Sequence, residues 1–448
     1  MTPEQSLTGM PRGSFLSQVL VTAVANVLMA GLAVLTGILS ARLLGPQGRG
    51  ELAAIQLWPT LLLLLSELGM SDALVYYSAR EPRAGLGYLA TAVIMALATC
   101  VPVMVIAYAA MPLFLATQSW AVISAARGYL FLLPVNALFG LSYHILRGRG
   151  DFSAWNAARL IAPIVWLIVL LLGWGLGKHD PRFYAFSYLS LFAMSLMLVL
   201  GLVVKRIEGS FRPDVAKVRR LLGYGLACLL SGIPRLISSR LGQVMIAASL
   251  PAEMLGLYVA SVAWSMMVNP LVSSISTTVS PRVASEGDRD RQCQIFAQAS
   301  RATVLVSVLV TPGTIVCTPL ILPVLFGRSF ASAVPIACVL LGGAAIANIN
   351  DTLGQGLRGF GFPSWAARAE SVGAFVSVIV LLLLLGPLGM SGAAVASVMG
   401  SASVMFIETV QMTALTGYAP SHILIPTGYD IDFGCRQLHR LLKRSGYS

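Results

Sequence analysis

Charged residues are scarce in this sequence. They make up 11% of the 448 residues, whereas hydrophobic residues make up 57%, and the mean hydropathy is +0.81. Soluble domains carry roughly 25% charged residues. A chain of this composition cannot cover a water-facing exterior with polar side chains, so the sequence excludes an ordinary soluble domain and indicates an integral membrane protein.

Cysteine and histidine are also rare, with six and four residues. Zinc and redox sites need closely spaced ligands, but this sequence has no Cys-X-X-Cys pair and no histidine cluster beside a cysteine. We therefore expect neither a metal site nor a cofactor, and we interpret the cysteines as small apolar core residues. They are Cys100, Cys228, Cys293, Cys317, Cys338 and Cys435.

Long apolar blocks, in contrast, are abundant, and they exceed the ~18 residues that indicate a membrane helix. The first block has no small-residue cleavage site and is too long for a signal-peptide core, so we expect it to be retained. The sequence therefore predicts an all-α membrane protein with twelve transmembrane helices. The predicted spans lie near 14–40, 52–78, 84–111, 119–146, 155–176, 183–204, 221–248, 253–280, 296–318, 333–356, 365–386 and 389–416.

The net charge of +12 indicates orientation in the membrane and not nucleic-acid binding, because the basic residues lie between the apolar blocks. With the N-terminus in the cytoplasm, most of them fall in cytoplasmic connections, such as 205–220, 281–295 and the one holding Arg358. Every outer connection is short. The positive-inside rule then predicts that both termini are cytoplasmic.

The two halves of the sequence resemble each other. Gly50 and Trp58 follow the first span with the spacing at which Gly256 and Trp264 follow the seventh. A match at a period near half the chain indicates a duplicated helical bundle. A second match pairs Leu146-Arg-Gly-Arg-Gly150, after the fourth span, with Leu357-Arg-Gly-Phe-Gly361, after the tenth.

This repeat predicts the domain organisation. Each half holds an even number of spans, so both halves have the same orientation and are related by a two-fold axis along the membrane normal. We expect an N-terminal lobe at 1–212 with spans one to six and a C-terminal lobe at 213–420 with spans seven to twelve. A basic amphipathic tail at 421–448 is expected to lie on the anionic inner leaflet.

Polar side chains follow one face of spans one, two, seven and eight. Such a stripe indicates a helix that lines a water-filled cavity, although hydrogen bonding between packed helices is the alternative. Because the stripes fall on the first two spans of each lobe, we predict a central cavity between these four helices. The candidate substrate-binding residues in the stripes are Asn26, Asn269, Ser265 and Ser273.

Arg235 is the most informative charge, because it lies near the middle of the seventh span. An arginine at that depth costs at least ~2.5 to 3.5 kcal/mol. Two explanations are open: an ion pair with Glu67 of the second span, or bidentate binding of a substrate phosphate, with Glu67 tuning or gating the site. Arg240 lies one turn further along the same span and is the second candidate for the phosphate.

Carboxylates within the spans are candidates for coupling transport to an ion. We assign coupling or gating to Glu67, Asp72 and Asp351, while the ion itself, H⁺ or Na⁺, is not set by the sequence. Further intramembrane polar residues that could take part are Asn348, Gln355, Glu370 and Glu408.

Several strings in the chain resemble the polysaccharide transporter branch, which contains O-antigen and oligosaccharide flippases, of the multidrug, oligosaccharidyl-lipid and polysaccharide (MOP) exporter superfamily. The resemblance implies a MATE-like fold with a cationic cavity lined by helices one, two, seven and eight, and it places Arg235 and Arg240 in that cavity. Lipid II flippases carry basic residues inside the first helix, whereas Arg42 lies at its outer end here, which favours an oligosaccharide substrate. The strings are Ala41-Arg-Leu-Leu-Gly-Pro46 with Gly50, Leu68-Gly-Met-Ser-Asp-Ala73, Pro323-Val-Leu-Phe-Gly327 with Ala333, and Leu388-Gly-Met-Ser-Gly-Ala-Ala394.

The function implied is translocation of a polyprenyl-diphosphate-linked oligosaccharide across the bacterial cytoplasmic membrane by alternating access, without enzymatic chemistry. Expected partners are this lipid-linked substrate and membrane lipids, with polysaccharide polymerase or export machinery as further candidates and no nucleic acid. A MATE-type multidrug cation antiporter is one alternative, and its cavity would be rich in carboxylates and aromatics. A membrane glycosyltransferase or polymerase would carry a large outer loop, which this sequence lacks, and a transport-inactive scaffold remains open.

Overall fold

The computed structural model describes residues 12–427, which are almost entirely helical and contain no strand. The first part comprises α1 Arg12–Glu67, α2 Met70–Arg80, α3 Gly85–Phe114, α4 Trp120–Tyr129, α5 Leu132–Gly148, α6 Phe152–Gly175 and α7 Pro181–Arg206. The second comprises α8 Val215–Ser249, α9 Ala252–Ser265, α10 Asn269–Ser285, α11 Arg289–Phe326, α12 Val334–Gly359, α13 Pro363–Leu388, α14 Met390–Thr416 and α15 Pro420–Leu424. Residues 428–448 of the predicted amphipathic tail lie outside the described residues.

The long helices make this a multi-pass membrane protein. Nine helices of the described part are long and apolar enough to cross a membrane, or up to 11 if each of two bent helix pairs is one span. One of the nine, Val21–Glu67, has 47 residues; a straight helix of that length would extend roughly 70 Å, over twice the hydrocarbon core. Gly45 interrupts it with φ 64° and ψ −179°, where the first two spans were expected to meet. The count of twelve stays a prediction.

The predicted second span, 52–78, is not one continuous helix. α1 ends at Glu67, and Leu68 and Gly69 both have positive φ, 48° and 70°, before α2 begins. A Cβ on Gly69 would lie 2.1 Å from the carbonyl oxygen of Gly225 in α8. Only glycine allows two backbones to approach so closely, and this break leaves Glu67 at a helix end.

The sequence repeat has a structural counterpart at the ends of α5 and α12. The amide of Asp151 donates to the carbonyl of Leu146 at 3.0 Å, and the amide of Phe362 donates to the carbonyl of Leu357 at 2.8 Å. The glycine before each donor has a left-handed φ, 76° in one case and 88° in the other. Both helices therefore end in the same glycine cap, as expected for duplicated sequence.

Contacts group the chain into two compact units. The first holds the residues up to Ile233 together with Gln243–Gly256, and the second holds Pro234–Gly242 together with the residues from Leu257 onward. The lobes expected at 1–212 and 213–420 stay a prediction.

Within the second unit, α13 and α14 pack with very little space between them. A Cβ on Gly392 would lie 2.2 Å from the carbonyl oxygen of Leu384, and one on Gly400 would lie 1.8 Å from Oγ of Ser377. Small residues at such crossings let membrane helices approach closely. This close packing sets the positions of α13 and α14 relative to each other and therefore the positions of their polar residues.

Candidate functional site

A cavity with polar lining residues lies inside the second unit, among α8, α9, α10, α12, α13 and α14. It consists of two adjoining pockets of about 260 and 310 Å³. Both are lined by Arg235, Ser238, Asn269 and Ser401. Because these residues belong to three different helices, the cavity depends on how the helices pack and not on any one of them.

The cavity is less polar at one end than at the other. Residues early in α12 and α14, such as Leu340 and Ala393, line the first pocket. Residues late in the same helices, such as Arg358 and Glu408, line the second. The charged end therefore lies toward the C-terminal ends of α12 and α14, the side on which the expected orientation places the cytoplasm.

Arg235 follows an irregularity in α8. Pro234 lies within the helix, and a proline removes one backbone hydrogen bond and bends a helix. The stretches Val215–Leu230 and Gly232–Ser249 meet at 47°. The arginine thus begins the stretch of α8 that belongs to the second unit.

Two arginines converge on a single carboxylate oxygen. Nη2 of Arg235 donates to Oε1 of Glu370 at 2.8 Å, and Nη2 of Arg358 donates to the same oxygen at 3.3 Å. The Arg235 side chain remains 59% exposed in this pairing, whereas that of Glu370 is 20% exposed. In this structure Arg235 thus pairs with Glu370 of α13, whereas the sequence left open a pair with Glu67 or a bound phosphate. Helical periodicity could not identify which neighbouring helix the arginine faces.

Several polar atoms around the cavity are buried without a hydrogen-bond partner in the described part of the chain. They include Oε2 of Glu408, Nδ2 of Asn348, and Oδ1 of both Asn350 and Asn269. Glu408 is 1% exposed and Asn348 is 7% exposed. An unsatisfied buried polar group costs about 1 to 3 kcal/mol. Four of them around one cavity indicate that its occupant is polar and supplies both donors and acceptors.

Most of the predicted site residues of this unit lie at the cavity. Arg235, Asn269, Ser265 and Asp351 all line it. The hydroxyl of Ser265 also donates to the carbonyl of Val262 at 2.9 Å in its own helix. The roles predicted for them stay predictions: substrate binding for Arg235, Asn269 and Ser265, and coupling or gating for Asp351.

Two predicted residues lie elsewhere. Ser273 is not part of the cavity lining, and its hydroxyl donates to the carbonyl of Pro270 at 3.3 Å. Arg240 belongs to α8 but lines neither pocket. The second arginine at the cavity is Arg358, which the sequence analysis assigned to a cytoplasmic connection.

The remaining predicted residues, Asn26, Glu67 and Asp72, belong to the first unit. Oδ1 of Asn26 accepts a hydrogen bond from Nη2 of Arg159 in α6 at 3.3 Å. Asp72 is exposed in the first turn of α2. The contact of Asn26 in this structure is therefore a hydrogen bond between packed helices, which was the alternative to lining a water-filled cavity.

Glu67 occupies a tight site beside α5. Its Oε2 accepts a hydrogen bond from Oγ of Ser71 at 2.6 Å, while its Oε1 is buried without a partner in the described part of the chain. A Cβ on Gly140 would lie only 2.9 Å from that oxygen. Gly140 thus makes room for the carboxyl group, a role that the sequence alone did not indicate.

Arg358 is the cavity residue that sequence reasoning missed, whereas Glu370 and Glu408 were named only among further polar residues that could take part in ion coupling. Helical side chains point back toward the N-terminus of their helix, so Arg358, one residue from the end of α12, reaches back into the cavity and not outward. The sequence carries one signal for this pair: Arg358 stands at the end of one helical segment, and Glu370 stands two turns into the next.

The comparisons with known proteins agree with this architecture. Residues 39–335 match the model of a family described as polysaccharide biosynthesis protein. The chain is 25% identical over 270 residues to the "Probable low-salt glycan biosynthesis flippase Agl15" of Haloferax volcanii. That alignment covers 58% of this chain and 55% of the relative, so the chain spans little more than half of that relative's length.

Solved structures with the same fold are transporters. An inward-facing multidrug resistance MATE family transporter of the MOP superfamily superposes with a TM-score of 0.71 at 15% identity, over 87% of this chain and 96% of the other. The lipid II flippase MurJ, in an inward closed conformation, superposes with a TM-score of 0.72 at 15% identity, over 88% of this chain and 87% of the other. Since the family model matches more than half of the sequence, the chain belongs to the polysaccharide biosynthesis protein family and has the helical fold of the MOP superfamily.

Proposed function

We propose that the protein is a flippase that moves a polyprenyl-diphosphate-linked oligosaccharide across the bacterial cytoplasmic membrane by alternating access. The observation that supports this most is Arg235, a cation at mid-span that lines a polar cavity in a member of the polysaccharide biosynthesis family. A guanidinium that lines a cavity suits a phosphate, because its planar fork can donate two parallel hydrogen bonds.

The substrate would be recognised in parts. Arg235 would bind the diphosphate, Asn269 and Ser265 would contact the sugars, and the polyprenyl chain would remain in the lipid. Arg240, Asn26 and Ser273 were also predicted to bind the substrate. They stay candidates for a conformation in which other faces of their helices line the cavity. Glu67, Asp72 and Asp351 stay candidates for coupling or gating.

The topology that goes with this proposal has both termini in the cytoplasm, two six-helix lobes at 1–212 and 213–420, and the tail at 421–448 on the inner leaflet. The charged end of the cavity would then face the side on which lipid-linked glycans are assembled. Polysaccharide polymerase or export machinery would receive the glycan outside.

Deletion of the gene in its host tests the proposal. We expect the deletion strain to lose a surface glycan and to accumulate lipid-linked oligosaccharide inside, and the intact gene to restore export. Arg235→Ala should reduce export by about tenfold or more, because the variant loses a charged hydrogen-bonding contact with the phosphate, and such a contact contributes about 1.5 to 3 kcal/mol. Arg235→Lys should retain part of it, because the charge remains without the fork.

Arg328→Ala is the matched control, because this exposed arginine lies in the short 3₁₀ segment Arg328–Ala333 away from the cavity. It should export normally. Immunoblots of the membrane fraction must show equal amounts of all variants. A deletion strain with unchanged glycan, or wild-type export by Arg235→Ala at equal protein level, would contradict the proposal.

A MATE-type cation antiporter is the second candidate, favoured by one observation. Asp351, Glu370 and Glu408 put three carboxyl groups at the cavity against two arginines, and cationic drugs require carboxylates. Accumulation of ethidium in cells separates the two functions. An antiporter lowers ethidium accumulation and loses this effect in Glu408→Gln, whereas a glycan flippase leaves accumulation unchanged.

A further inference from the structure

We propose that Arg358 is the second phosphate-binding residue of the cavity, and that Glu370 occupies the two-arginine site as an internal competitor that an incoming diphosphate must displace. This inference rests on the proposed function and specifies how its site works. It gives a role to Arg358, which the sequence placed in a cytoplasmic connection. It also gives a role to Glu370, which the sequence named only among further polar residues of the spans.

The first argument is geometric. Arg235 and Arg358 come from α8 and α12, yet both donate to Oε1 of Glu370 from α13, at 2.8 and 3.3 Å. Both guanidinium groups thus lie within hydrogen-bonding distance of one oxygen atom, which brings them close enough to bind a single diphosphate. Arg240, the other cation of α8, lines neither pocket.

The second argument is the mismatch between the carboxylate and the two arginines. One carboxylate carries one negative charge, whereas a diphosphate carries at least two and offers oxygens on both phosphorus atoms. Guanidinium groups bind phosphate bidentately, so a diphosphate can satisfy each arginine more completely than a shared Oε1 does. Arg235 in particular keeps a 59% exposed side chain while paired, which leaves donors available to a ligand.

An unpartnered donor supports an oxygen-rich ligand independently. Nδ2 of Asn348 is buried, lines the same pocket as Arg358, and has no hydrogen-bond partner in the described residues. It could donate to a phosphate oxygen. Oε2 of Glu408 and Oδ1 of Asn350 are unpartnered acceptors at the same pocket. Sugar hydroxyls beside the phosphate would donate hydrogen bonds to such acceptors.

The charge count explains why displacement is needed. The pocket holds the two arginines together with Asp351, Glu370 and Glu408, so its cations already have counter-charges. A phosphate therefore cannot simply add to the pocket; it has to replace the carboxylate that lies on the arginines. Glu370 is that carboxylate, and it lies two turns into α13.

Binding of geranyl diphosphate to the full chain in nanodiscs, followed by isothermal titration calorimetry, tests the inference. Glu370→Gln should tighten binding by about tenfold or more, because the neutral amide no longer competes for the arginines. Arg358→Gln should weaken binding by a similar factor, and Glu370→Gln combined with Arg358→Gln should lose the gain. Arg328→Gln is the control and should bind as the parent does.

Inorganic pyrophosphate is titrated in parallel to separate a diphosphate site from a site that also needs the prenyl chain. Either probe supports the inference if its affinity rises with Glu370→Gln and falls with Arg358→Gln. Equal affinities of parent, Glu370→Gln and Arg358→Gln for both probes would overturn it. If Glu370→Gln does not give a monodisperse protein, Glu370→Asp, which withdraws the carboxylate by one methylene, should change affinity in the same direction.

The outcome is separable from that of the proposed function. Glycan export restored in cells with affinities insensitive to both substitutions would reject the roles of Arg358 and Glu370 and leave the flippase function standing. Affinities that follow the expected pattern in a protein whose deletion leaves surface glycan intact would reject only the flippase function.

Discussion

Gly50 and Gly256, which occupy equivalent positions in the two halves of the sequence, pack backbone against backbone. A Cβ on Gly50 would lie 1.6 Å from the carbonyl oxygen of Ala252, and one on Gly256 would lie 1.9 Å from that of Pro46. The contact is reciprocal, because each glycine meets the segment that precedes the other. Such mutual contact is what equivalent surfaces make across a two-fold axis.

Gly50→Ala should therefore destabilise the protein. The added methyl group has no space, and overpacking of this kind costs about 1 to 3 kcal/mol. The measurement is the thermal melting of the purified protein in detergent. Gly37→Ala in the same helix is the control, because nothing lies within 4 Å of its Cβ position. Indistinguishable melting of the two variants would contradict the contact, whereas Gly256→Ala should match Gly50→Ala and add little to it.

A buried hydrogen bond between α9 and α11 gives a second prediction. Nε1 of Trp264 donates to Oγ1 of Thr318 at 2.9 Å. Thr318→Val keeps the shape but removes the acceptor, leaving a buried indole N–H unsatisfied at a cost of about 1 to 3 kcal/mol. Thr314→Val, whose hydroxyl donates only to the carbonyl of Val310 in its own helix, should melt close to the parent. The reverse order of the two variants would refute the assignment.

Helices α1 and α6, which hold the first and fifth predicted spans, are joined by a polar network that can be tested by substitution. Nδ2 of Asn156 donates to Oγ1 of Thr22 at 2.9 Å, and its Oδ1 accepts from Nη1 of Arg159 at 3.2 Å. Asn156→Leu should lower stability by about 0.6 to 2 kcal/mol, the range of interhelical hydrogen bonds in membranes. Export measured at equal protein level should be affected less than by Arg235→Ala. Asn136→Leu in α5 serves as the comparison, and equal melting of both leucine variants would argue against the network.

Asp180 provides a prediction about pH at the start of α7. It accepts hydrogen bonds from the backbone N–H of Arg182 at 2.9 Å and from Nε of the same arginine at 3.0 Å. The side-chain hydrogen bond from Arg182 lowers the pKa of this carboxyl, an effect that partial burial opposes. Its stabilisation is therefore complete above the unfolded pKa of about 3.9 and is lost as pH falls through the lower, folded pKa.

Asp180→Ala should accordingly cost about 0.5 to 1 kcal/mol at neutral pH, as expected for loss of a helix cap, and less at strongly acidic pH, where the protonated carboxyl of the parent keeps only a neutral acceptor. Asp180→Asn retains the cap acceptor without the charge and should fall between. Melting curves from neutral pH to pH 3 measure this, and a deficit of Asp180→Ala that does not shrink toward acid would count against the assignment.

The helices show which parts of the fold could be predicted from the sequence. Hydropathy placed the apolar blocks well because an unpaired backbone in lipid is so costly that only helices remain. It did not foresee the break at Leu68 and Gly69, because Leu68 is an ordinary helix former and the break depends on the approach of Gly225 in α8. Such long-range contacts leave no mark on local periodicity.

The same limit applies to the candidate site, where contacts between distant residues could not be predicted from local periodicity. The polar stripe of α8 pointed to Arg235, which lines the cavity, since a charge within a span needs a polar surrounding. Its partner Glu370 lies 135 residues away, and many intramembrane carboxylates were equally plausible. Arg358 was missed because its position suggested a loop, whereas its side chain points back along α12. Periodicity gives the face of a helix but not the neighbour that the face meets.

The matching glycine caps of α5 and α12 bear on the history of the protein. A half-length ancestor with six spans would have had both ends on one side of the membrane, and two copies could have formed a dimer in which each glycine now at 50 and 256 met its own duplicate. Fusion of two such genes would then have needed only a short linker like the one between Arg206 and Val215. After fusion, each copy was free to diverge, so a pocket with Arg235, Arg358 and Glu370 could arise in one half without a counterpart being imposed on the other.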